Sequence, residues 1–377
     1  MGSHGKRKKK KKENGAGDAV RKDKIKDASI ARNLKLVLMT VGSICSGMGT
    51  DMFALRAILG GAISFVQHEF YCESNKHALQ FLSDNFPHTN HVYDDVMAKA
   101  FKRAPRVDLL TAGFPCQPFS AAGLNQGFDD KQGRGLIFGA IYKYIKRSLP
   151  ATFILENVEG LLKHHPQTLM TILKSLRKIK GASGKKNYCV SWRLLNTRLH
   201  GGLPQNRPRL YTVGTEPSFK MKWPREVKMR RLTSVLQTPT HPAAYPTGQH
   251  ARTNVQAVEH TLCSYEIDPA TVPVAIDCFS SRCNYAIGYT PCLTASRGSQ
   301  RGFWITWKSH GFLSVEEMLK LQGFDPAQVV QTISDNQMGK MIGNAFTQTI
   351  MEKLLNVLVP VTARLGNPKL RRALANI

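Results

Sequence analysis

The sequence has no uninterrupted apolar run near the ~18 residues that a membrane-spanning helix needs, and its basic start lacks the apolar core of a signal peptide. We therefore expect neither a membrane protein nor a secreted one. None of its eight cysteines forms a Cys-x-x-Cys pair, so reduced thiols are expected. Cys278, Cys283 and Cys292 lie close together in the sequence, but their irregular spacing does not favour a zinc site. No bound metal is predicted.

Carboxylates are scarce, with 26 Asp and Glu against 53 Lys and Arg and a formal net charge of +27. Residues 1–27 contain eleven Lys and Arg and four Asp and Glu, so they contribute only +7 and the remainder carries +20. A protein body this basic predicts a polyanionic partner. Nucleic acid is favoured over an anionic membrane surface, because no basic amphipathic helix is apparent.

The first 34 residues form a basic tail, in which positions 6–12 read Lys-Arg-Lys-Lys-Lys-Lys-Lys. Because this segment has almost no apolar side chains, we expect it to be disordered. Three interpretations of the lysine run stay open: a nuclear-localisation signal, an arm that binds nucleic acid without sequence preference, or a solubilising tail. The first is favoured, so a nuclear location is expected.

From residue 35 onward, apolar strand-like segments alternate with helical ones. This alternation predicts an α/β fold with a doubly wound, mostly parallel, Rossmann-like sheet. In such a sheet the active residues gather at the carboxyl ends of the strands. Residues 224–289, rich in Pro, Thr, His and Arg, interrupt the alternation and predict a smaller irregular domain or a long insertion. The predicted strands are 36–44, 63–67, 107–111, 152–155, 189–195 and 210–213, and the predicted helices are 52–59, 75–85, 136–147, 158–179, 313–321 and 340–358.

Two short motifs at predicted strand ends carry candidate covalent chemistry. Residues 113–120 read Gly-Phe-Pro-Cys-Gln-Pro-Phe-Ser, and Glu156 ends a strand forty residues beyond Cys116. A cysteine supplies a soft nucleophile, and a carboxyl group can supply a proton or hydrogen bond that activates the electrophile. This pairing indicates covalent chemistry on a base. Taken alone, Cys116 could equally be a buried loop thiol.

A glycine-rich loop follows the first predicted strand. Gly47 and Gly49 fit a backbone that approaches a ligand closely, although a simple tight turn would use the same residues. Glu73 lies about 25 residues further on, where a carboxylate can accept hydrogen bonds from ribose hydroxyls. Asp95 follows, where a carboxylate could accept a hydrogen bond from an adenine amino group. Because the third glycine of the dinucleotide fingerprint is missing, a mononucleoside cofactor such as S-adenosylmethionine is favoured over NAD.

Two further motifs leave more than one interpretation open. Arg207 and Arg209 are two residues apart at the start of a strand, so their side chains project to the same side. They could hold a base carbonyl, a phosphate group or Glu156, or they could form a solvated basic edge. Gly343 and Asn344 could either cap a helix or close over a bound cofactor.

Taken together and in this order, the motifs resemble those of the cytosine-C5 methyltransferases, chiefly the enzymes that act on DNA. The resemblance covers about residues 35–360. It rests on the Gly-x-Gly loop, Gly113–Ser120, Glu156-Asn157-Val158, Gln205-x-Arg207-x-Arg209, Pro291-Cys-Leu-Thr-Ala295 leading to Glu317 and Leu321-Gln-Gly-Phe324, and Gly343-Asn344.

The resemblance implies that Cys116 attacks C6 of a cytosine flipped out of double-stranded DNA, so that C5 takes a methyl group from S-adenosylmethionine. It also implies that Glu156 protonates or hydrogen-bonds N3 and the exocyclic amine, and that Arg209 binds O2 with Arg207 in support. The residues implied to bind the cofactor are Ser46, Gly47, Met48, Gly49, Glu73, Asp95, Pro115, Leu136, Asn344 and Phe346, and those implied to contact DNA or support the site are Gln117, Ser120, Asn157 and Gln205.

The domain organisation follows from the same resemblance. It implies a basic tail (1–34), a catalytic domain that binds the cofactor (35–215), a small target-recognition domain (216–330) and a carboxyl-terminal helix that returns to the catalytic domain (331–377). Two departures from the family pattern predict weaker cofactor binding. Cys45 stands where an aromatic residue is usual, and Thr50 stands where a glycine is common.

The expected function is therefore DNA (cytosine-5-)-methylation by an S-adenosylmethionine-dependent enzyme that is assumed to be monomeric. Two alternatives stay open. A tRNA cytosine-C5 methyltransferase would share the fold and the chemistry, and Cys278-Phe-Ser280 faintly resembles a signature of that branch. A catalytically silent DNA-binding scaffold would keep the fold, although the intact set of candidate catalytic residues disfavours it.

Overall fold

The computed structural model describes residues 39–114 and 134–366, and its centre is a seven-stranded sheet in the order β3-β2-β1-β4-β5-β7-β6. Strands β1 to β5 pair in parallel, and β7 runs antiparallel to both β5 and β6. The mostly parallel, doubly wound sheet expected from the sequence is thereby confirmed. The strands are β1 (Met39–Ile44), β2 (Val66–Cys72), β3 (His91–Tyr93), β4 (Leu109–Gly113), β5 (Thr152–Val158), β6 (Cys189–Asn196) and β7 (Pro208–Thr215).

The central strands are apolar on both faces because helices cover both sides of the sheet. In β4 and β5, for example, Leu109, Leu110, Phe153 and Ile154 are all fully buried. The helices are α1 (Thr50–Leu59), α2 (Lys76–Asn85), α3 (Arg134–Ser148), α4 (Gly160–His164), α5 (Pro166–Arg177), α6 (Gln249–Ser264), α7 (Ala295–Gly298), α8 (Val315–Gln322), α9 (Asp335–Asn344) and α10 (Gln348–Gly366).

The two faces of the sheet carry separate hydrophobic cores. One core joins the sheet to α1, α2 and α10, with Leu55 and Leu354 among its buried side chains. The other joins the sheet to α3 and α5 through residues such as Ile145 and Leu173. The last helix therefore packs against the main sheet, while the division into four domains stays a prediction.

Three predicted elements differ from the structure. The predicted helix 158–179 is two helices, because His165 leaves the helical conformation (φ −137°, ψ 51°) before Pro166, where proline disfavours a helical predecessor. The predicted strand 63–67 is wrong in its first part, since Gly60–Phe65 forms a 3₁₀ helix. The predicted helix 340–358 is interrupted at Ala345, so Gly343 and Asn344 end α9 and do not open the last helix.

A second, four-stranded antiparallel sheet lies within residues 216–330, the expected target-recognition domain, and two of its strands fall in the stretch 224–289 that was predicted to be irregular. Its order is β11-β10-β8-β9, formed by β8 (Val274–Ile276), β9 (Tyr285–Ile287), β10 (Trp304–Ile305) and β11 (Gly311–Phe312). Helix α6 packs Val255 and Val258 against Ile276 and Trp304 in a small core. The expectation of irregular structure through residue 289 is thus corrected by a sixteen-residue helix and two short strands. Within the described residues, no helix is both long and apolar enough to cross a membrane.

Candidate active site

The carboxyl ends of β4 and β5 bring two predicted site segments together. Gly113 pairs with Glu156 in the parallel register, and the chain leaves β4 at Phe114. Because β7 is antiparallel to β5, its first residues lie at the same edge, with Arg209 opposite Val158. Pro115, Cys116, Gln117 and Ser120 follow directly on Phe114 but lie outside the described residues.

Glu156 and Arg209 form an ion pair at this edge. The Nε atom of Arg209 lies 3.1 Å from Oε1 of Glu156, and their side chains are only 12% and 10% exposed. Burial raises the pKa of the Glu156 carboxyl group, and the opposing effect of Arg209 and Arg207 is the smaller one. Glu156 therefore holds a proton more readily than a solvated glutamate, while Arg209 keeps a cation beside it. This pairing is one of the alternatives that the sequence left open.

Arg207 is fully buried and acts as a brace for the backbone. Its guanidinium nitrogens donate hydrogen bonds to the carbonyl oxygens of Leu293 (2.6 Å), Gly343 (3.1 and 3.2 Å) and Ala345 (2.7 Å). These bonds join β7 to the loop before α7 and to the end of α9. They occupy the side chain with backbone acceptors, which agrees with a supporting role for Arg207 and not with direct contact to a substrate.

Gln205 braces the same region from the loop before β7. Its Nε2 donates to the carbonyl of Leu321 at 2.9 Å, and its Oε1 accepts from the backbone nitrogen of Leu293 at 2.9 Å. The side chain is completely buried. Gln205 and Arg207 thus fix the start of β7 from two directions, and both act as positioning residues for Arg209.

Cys292 and Tyr211 complete the surroundings of the ion pair, and neither was predicted as a site residue. The Cys292 sulfur lies 3.6 Å from Nη1 of Arg207 and 3.7 Å from Nη2 of Arg209. Tyr211 faces Glu156 across the strand pair, and its buried hydroxyl has no hydrogen-bond partner among the described residues. The same-face spacing of Arg209 and Tyr211 in a strand was the available signal for the tyrosine.

Asn157 and Phe346 hold the point where the chain leaves β4. The Asn157 amide donates to the carbonyl oxygen of Phe114 at 3.0 Å. The ring of Phe346 covers Gly113 so closely that a Cβ atom there would lie 2.6 Å from it. Both side chains therefore position the backbone immediately before the segment that carries Cys116.

The glycine-rich loop after β1 has two glycines with different physical roles. Gly47 has φ +52° and open space where a side chain would point, and its backbone nitrogen donates to Oε2 of Glu73 at 2.9 Å. Gly49 has φ +65°, and a Cβ atom there would lie 2.6 Å from the Phe86 ring. The backbone at Gly47 is therefore open on the side where a Cβ atom would point, whereas Gly49 is required by packing.

The other predicted cofactor residues fall into two groups. Ser46 bonds to the backbone of Cys72 at the end of β2, and the Met48 side chain is fully buried in the core. The cofactor-binding role that the resemblance implies for Met48 stays a prediction, which its backbone could fulfil while the side chain packs in the core. Asp95, Leu136 and Asn344 are exposed, and Asp95 accepts a hydrogen bond from the backbone nitrogen of residue 97 at 2.7 Å.

Cys45 precedes this loop, and its thiol is unsuited to nucleophilic chemistry. Burial, with a further contribution from the charge of Glu73, raises its pKa to about 12. It therefore stays a neutral thiol at physiological pH. Among residues 39–114 and 134–366, no three His, Cys, Asp or Glu side chains lie close enough together to hold a metal ion.

Comparison with known proteins relates this arrangement to one family. A family model for the C-5 cytosine-specific DNA methylases matches residues 39–359. The type II methyltransferase M.NgoBV of Neisseria gonorrhoeae is 37% identical over 172 residues, which are 41% of this chain and 38% of that protein. The type II methyltransferase M.NgoBI of the same organism is 28% identical over 77% of this chain and 86% of its own length.

A solved structure shows the same fold. A protein described as a DNA modification methyltransferase encoded within an Escherichia coli prophage has a TM-score of 0.58 and 17% sequence identity, covering 86% of this chain and 99% of its own. The matched segment spans well under half the length of M.NgoBV. The nuclear location expected from the lysine run stays a prediction, and the bacterial origin of these relatives does not favour it.

Proposed function

Because this chain belongs to the C-5 cytosine-specific DNA methylase family, we propose that it transfers a methyl group from S-adenosylmethionine to C5 of cytosine in double-stranded DNA. The observation that carries the proposal is the buried Glu156–Arg209 pair at the carboxyl edge of the sheet, beside the start of the Cys116 segment. When a nucleophile adds to a neutral nucleobase, negative charge develops on the ring. An acid with a raised pKa and a fixed cation can neutralise that charge.

In this proposal the Cys116 thiolate adds to C6 of the cytosine ring. The S–C6 bond forms, the C5=C6 π electrons become available at C5, and negative charge builds toward N3 and O2. Glu156 donates its proton to N3, and the Arg209 guanidinium donates a hydrogen bond to O2, so both neutralise that charge. After C5 has been methylated, N3 returns its proton to Glu156 and the C5 proton passes to solvent. The C5=C6 bond then forms again as the S–C6 bond breaks and the thiolate leaves.

The loop after β1 fits the cofactor that the family implies. Gly47 offers an open, left-handed backbone position, and Glu73 places a carboxylate at the end of β2, where ribose hydroxyls can be bound. Asp95 is the proposed hydrogen-bond acceptor for the adenine amino group. Phe346 is a second proposed contact to the cofactor. When bound, S-adenosylmethionine supplies an electrophilic methyl group on its sulfonium. The chain's residues orient that group and keep water from it.

A cytosine in a duplex must leave the base stack before Cys116 can reach C6. This flipping costs a few kcal/mol, which DNA binding must supply. The small domain with β8 to β11 is attached to the start of β7, because Arg207 donates a hydrogen bond to the carbonyl oxygen of Leu293, which lies between β9 and α7. We assign DNA recognition to this small domain.

Methyl transfer from tritiated S-adenosylmethionine tests the proposal. We expect label on duplex DNA, none on tRNA, and at least a ~10²-fold lower rate for Glu156→Gln, since a positioned acid contributes ~10²–10⁴. Cys263→Ala, which removes an exposed thiol far along α6, is the matched control and should keep wild-type activity. Label on tRNA alone would support the RNA-modifying alternative, and no label on either substrate would support a silent scaffold.

A further inference from the structure

The amino edge of the main sheet carries a strongly basic surface at the end of the molecule opposite the candidate active site. Residues 101–107, 141–151 and 171–190 contain twelve Lys and Arg and no Asp or Glu. Eleven of the twelve side chains are exposed. We call these eleven the amino-edge basic face: Lys102, Arg103, Arg106, Lys143, Lys146, Arg147, Lys174, Lys178, Lys180, Lys185 and Lys186.

The three segments form one continuous surface. Tyr144 donates to the carbonyl of Pro105 at 2.6 Å, and Arg147 donates to that of Ala104 at 2.9 Å, so the end of α3 lies on the segment before β4. A cleft of about 610 Å³ is lined by residues of that segment, by α3 and by Ser175 of α5. Tyr188 donates to the carbonyl of Pro150 at 2.8 Å and so attaches the third segment.

A lysine-bearing turn projects from this surface. Lys180 and Lys186 form an isolated antiparallel bridge, and the backbone nitrogen of Asn187 donates to the carbonyl of Ile179. Residues 182–186 in the turn are all exposed. The backbone is thus fixed by its own hydrogen bonds, while Lys180, Lys185 and Lys186 make no ion pair among the described residues.

Few carboxylates oppose this charge. A second cleft of about 430 Å³ at the same edge includes Arg106 and Asn187, and its two acidic neighbours are Asp108 and Glu216. The Asp108 carboxylate already accepts hydrogen bonds from the backbone nitrogen and hydroxyl of Thr40. The net field at this edge is therefore positive, and a field of this kind attracts polyanions.

The position of the surface separates it from the catalytic edge. The strand β5 runs from Thr152 at the basic edge to Val158 beside Arg209, and seven residues of strand span about 20 Å. A duplex shorter than the ~150 base pairs of the DNA persistence length is nearly straight. One short duplex seated over Glu156 therefore does not also cover the opposite edge.

We propose that the amino-edge basic face binds the phosphate backbone of a second nucleic-acid duplex, independently of the duplex at the candidate active site. Within the three segments no large hydrophobic side chain is exposed, although Met97 and Leu136 in the first cleft and Met170 and Trp192 beside the third segment are. Eleven Lys and Arg with four exposed apolar side chains at the margins suit phosphate contacts better than a membrane surface, whose binding faces bury a large apolar area. The inference does not depend on methyl transfer.

A DNA-binding titration tests the proposal with Lys180→Gln/Lys185→Gln/Lys186→Gln. The probe is a labelled duplex of about 20 base pairs containing only A·T pairs, which has no cytosine and is well below the persistence length. The full-length wild type should bind two duplexes at low salt, and the variant should bind one. Each phosphate contact contributes about 0.9 to the salt slope. The loss of three lysines and of the binding event they support should therefore lower the total salt slope by at least about 2 to 3.

The matched control is Lys76→Gln/Lys163→Gln/Lys340→Gln, which removes the same charge from three exposed lysines outside both the amino-edge basic face and the small domain. It should still bind two duplexes. Equal losses in both variants would overturn the proposal, because net charge alone would then explain the binding. Should the first variant melt early, Lys143→Gln/Lys146→Gln on α3 provides a second version of the test. Unchanged duplex binding with loss of binding to phosphatidylserine vesicles would also overturn it, in favour of a membrane surface.

Discussion

At the scale of single residues, the structure distinguishes two arginines that look alike in the sequence. Arg209 keeps its guanidinium beside the Glu156 carboxylate, whereas Arg207 directs its donors at backbone carbonyls. Their spacing of two residues predicted that both side chains project to the same side of the strand. This is confirmed, because the Cys292 sulfur contacts both guanidinium groups. The division of roles could not be predicted, because it depends on carbonyls that lie about 85 to 138 residues away in the chain.

Arg207→Ala should destabilise the fold more than Arg209→Ala. It leaves the three carbonyl oxygens of residues 293, 343 and 345 without this donor in a buried site, and each unsatisfied buried group costs about 1–3 kcal/mol. We expect a loss of at least about 3 kcal/mol in the free energy of unfolding. Urea denaturation measures it. Equal losses for both substitutions would contradict the assignment of a bracing role to Arg207.

At the scale of secondary-structure elements, the sequence predicted most of the central sheet. The buried strands β1, β4, β5 and β7 are apolar runs between turn residues, so they could be predicted even where their ends shifted. The edge strand β6 was predicted as well, although only two of its eight residues are buried. Strand β3 was missed because its three residues are largely exposed and carry no apolar pattern. The 3₁₀ helix at Gly60–Phe65 was mistaken for a strand because its apolar residues, Ile63 and Phe65, resemble the start of β2.

The glycine-rich turn between β1 and α1 yields a prediction that separates folding from ligand binding. Gly49→Ala forces a left-handed conformation and a contact with Phe86, so we expect a loss of about 1–3 kcal/mol of stability. Gly47→Ala meets no atom within 4 Å and should cost only about 1–2 kcal/mol for its left-handed backbone.

The same two variants should differ in the opposite sense in cofactor binding. Gly47→Ala places a methyl group on the open side of the loop, so it should weaken S-adenosylmethionine binding in isothermal titration calorimetry by at least about tenfold, or ~1.4 kcal/mol. Gly49→Ala should change the affinity less once the folded fraction has been taken into account. A Gly47→Ala variant with unchanged affinity would show that the cofactor does not approach this loop.

At the scale of the whole molecule, the second sheet is part of a shared core. Ala275 and Ile305 of that sheet belong to the same buried cluster as Leu354 of α10. The region's composition predicted a smaller, irregular unit, and its Pro- and Thr-rich segments hid the short strands. Such strands depend on long-range pairing, for which a single sequence carries little signal.

A buried His310–Glu317 pair connects the second sheet to α8 and gives the molecule a pH-dependent joint. Burial alone would lower the pKa of His310, but the hydrogen bond and charge of Glu317 outweigh it and raise that pKa. Glu317 also accepts hydrogen bonds from the backbone nitrogens of Gln237 and Ser314. Burial alone would raise the pKa of Glu317, but these bonds and the one from His310 outweigh burial and lower that pKa.

The stability of the molecule should therefore decline as the pH rises through the raised pKa of His310. A protonated His310 contributes stability that is fully present below its unfolded pKa of about 6.5 and is lost above its folded pKa. We expect His310→Gln to lose that decline, so that its free energy of unfolding changes less between pH 6 and pH 8.5 than that of the wild type. If the free energy of unfolding changed equally in the two proteins between these pH values, the pH-dependent role of the His310–Glu317 pair would be contradicted.

The central claim is that Cys116, assisted by the Glu156–Arg209 pair, forms a covalent bond to C6 of a flipped cytosine. Duplex DNA containing 5-fluorocytosine tests it most directly. Fluorine replaces the C5 proton whose loss would release the enzyme, so the covalent adduct persists. Mass spectrometry after incubation with S-adenosylmethionine should find one DNA strand attached to the Cys116 peptide in the wild type and in Cys263→Ala, and none in Cys116→Ala. An adduct that persists in Cys116→Ala, or its absence from a wild type that binds both cofactor and DNA, would contradict the claim.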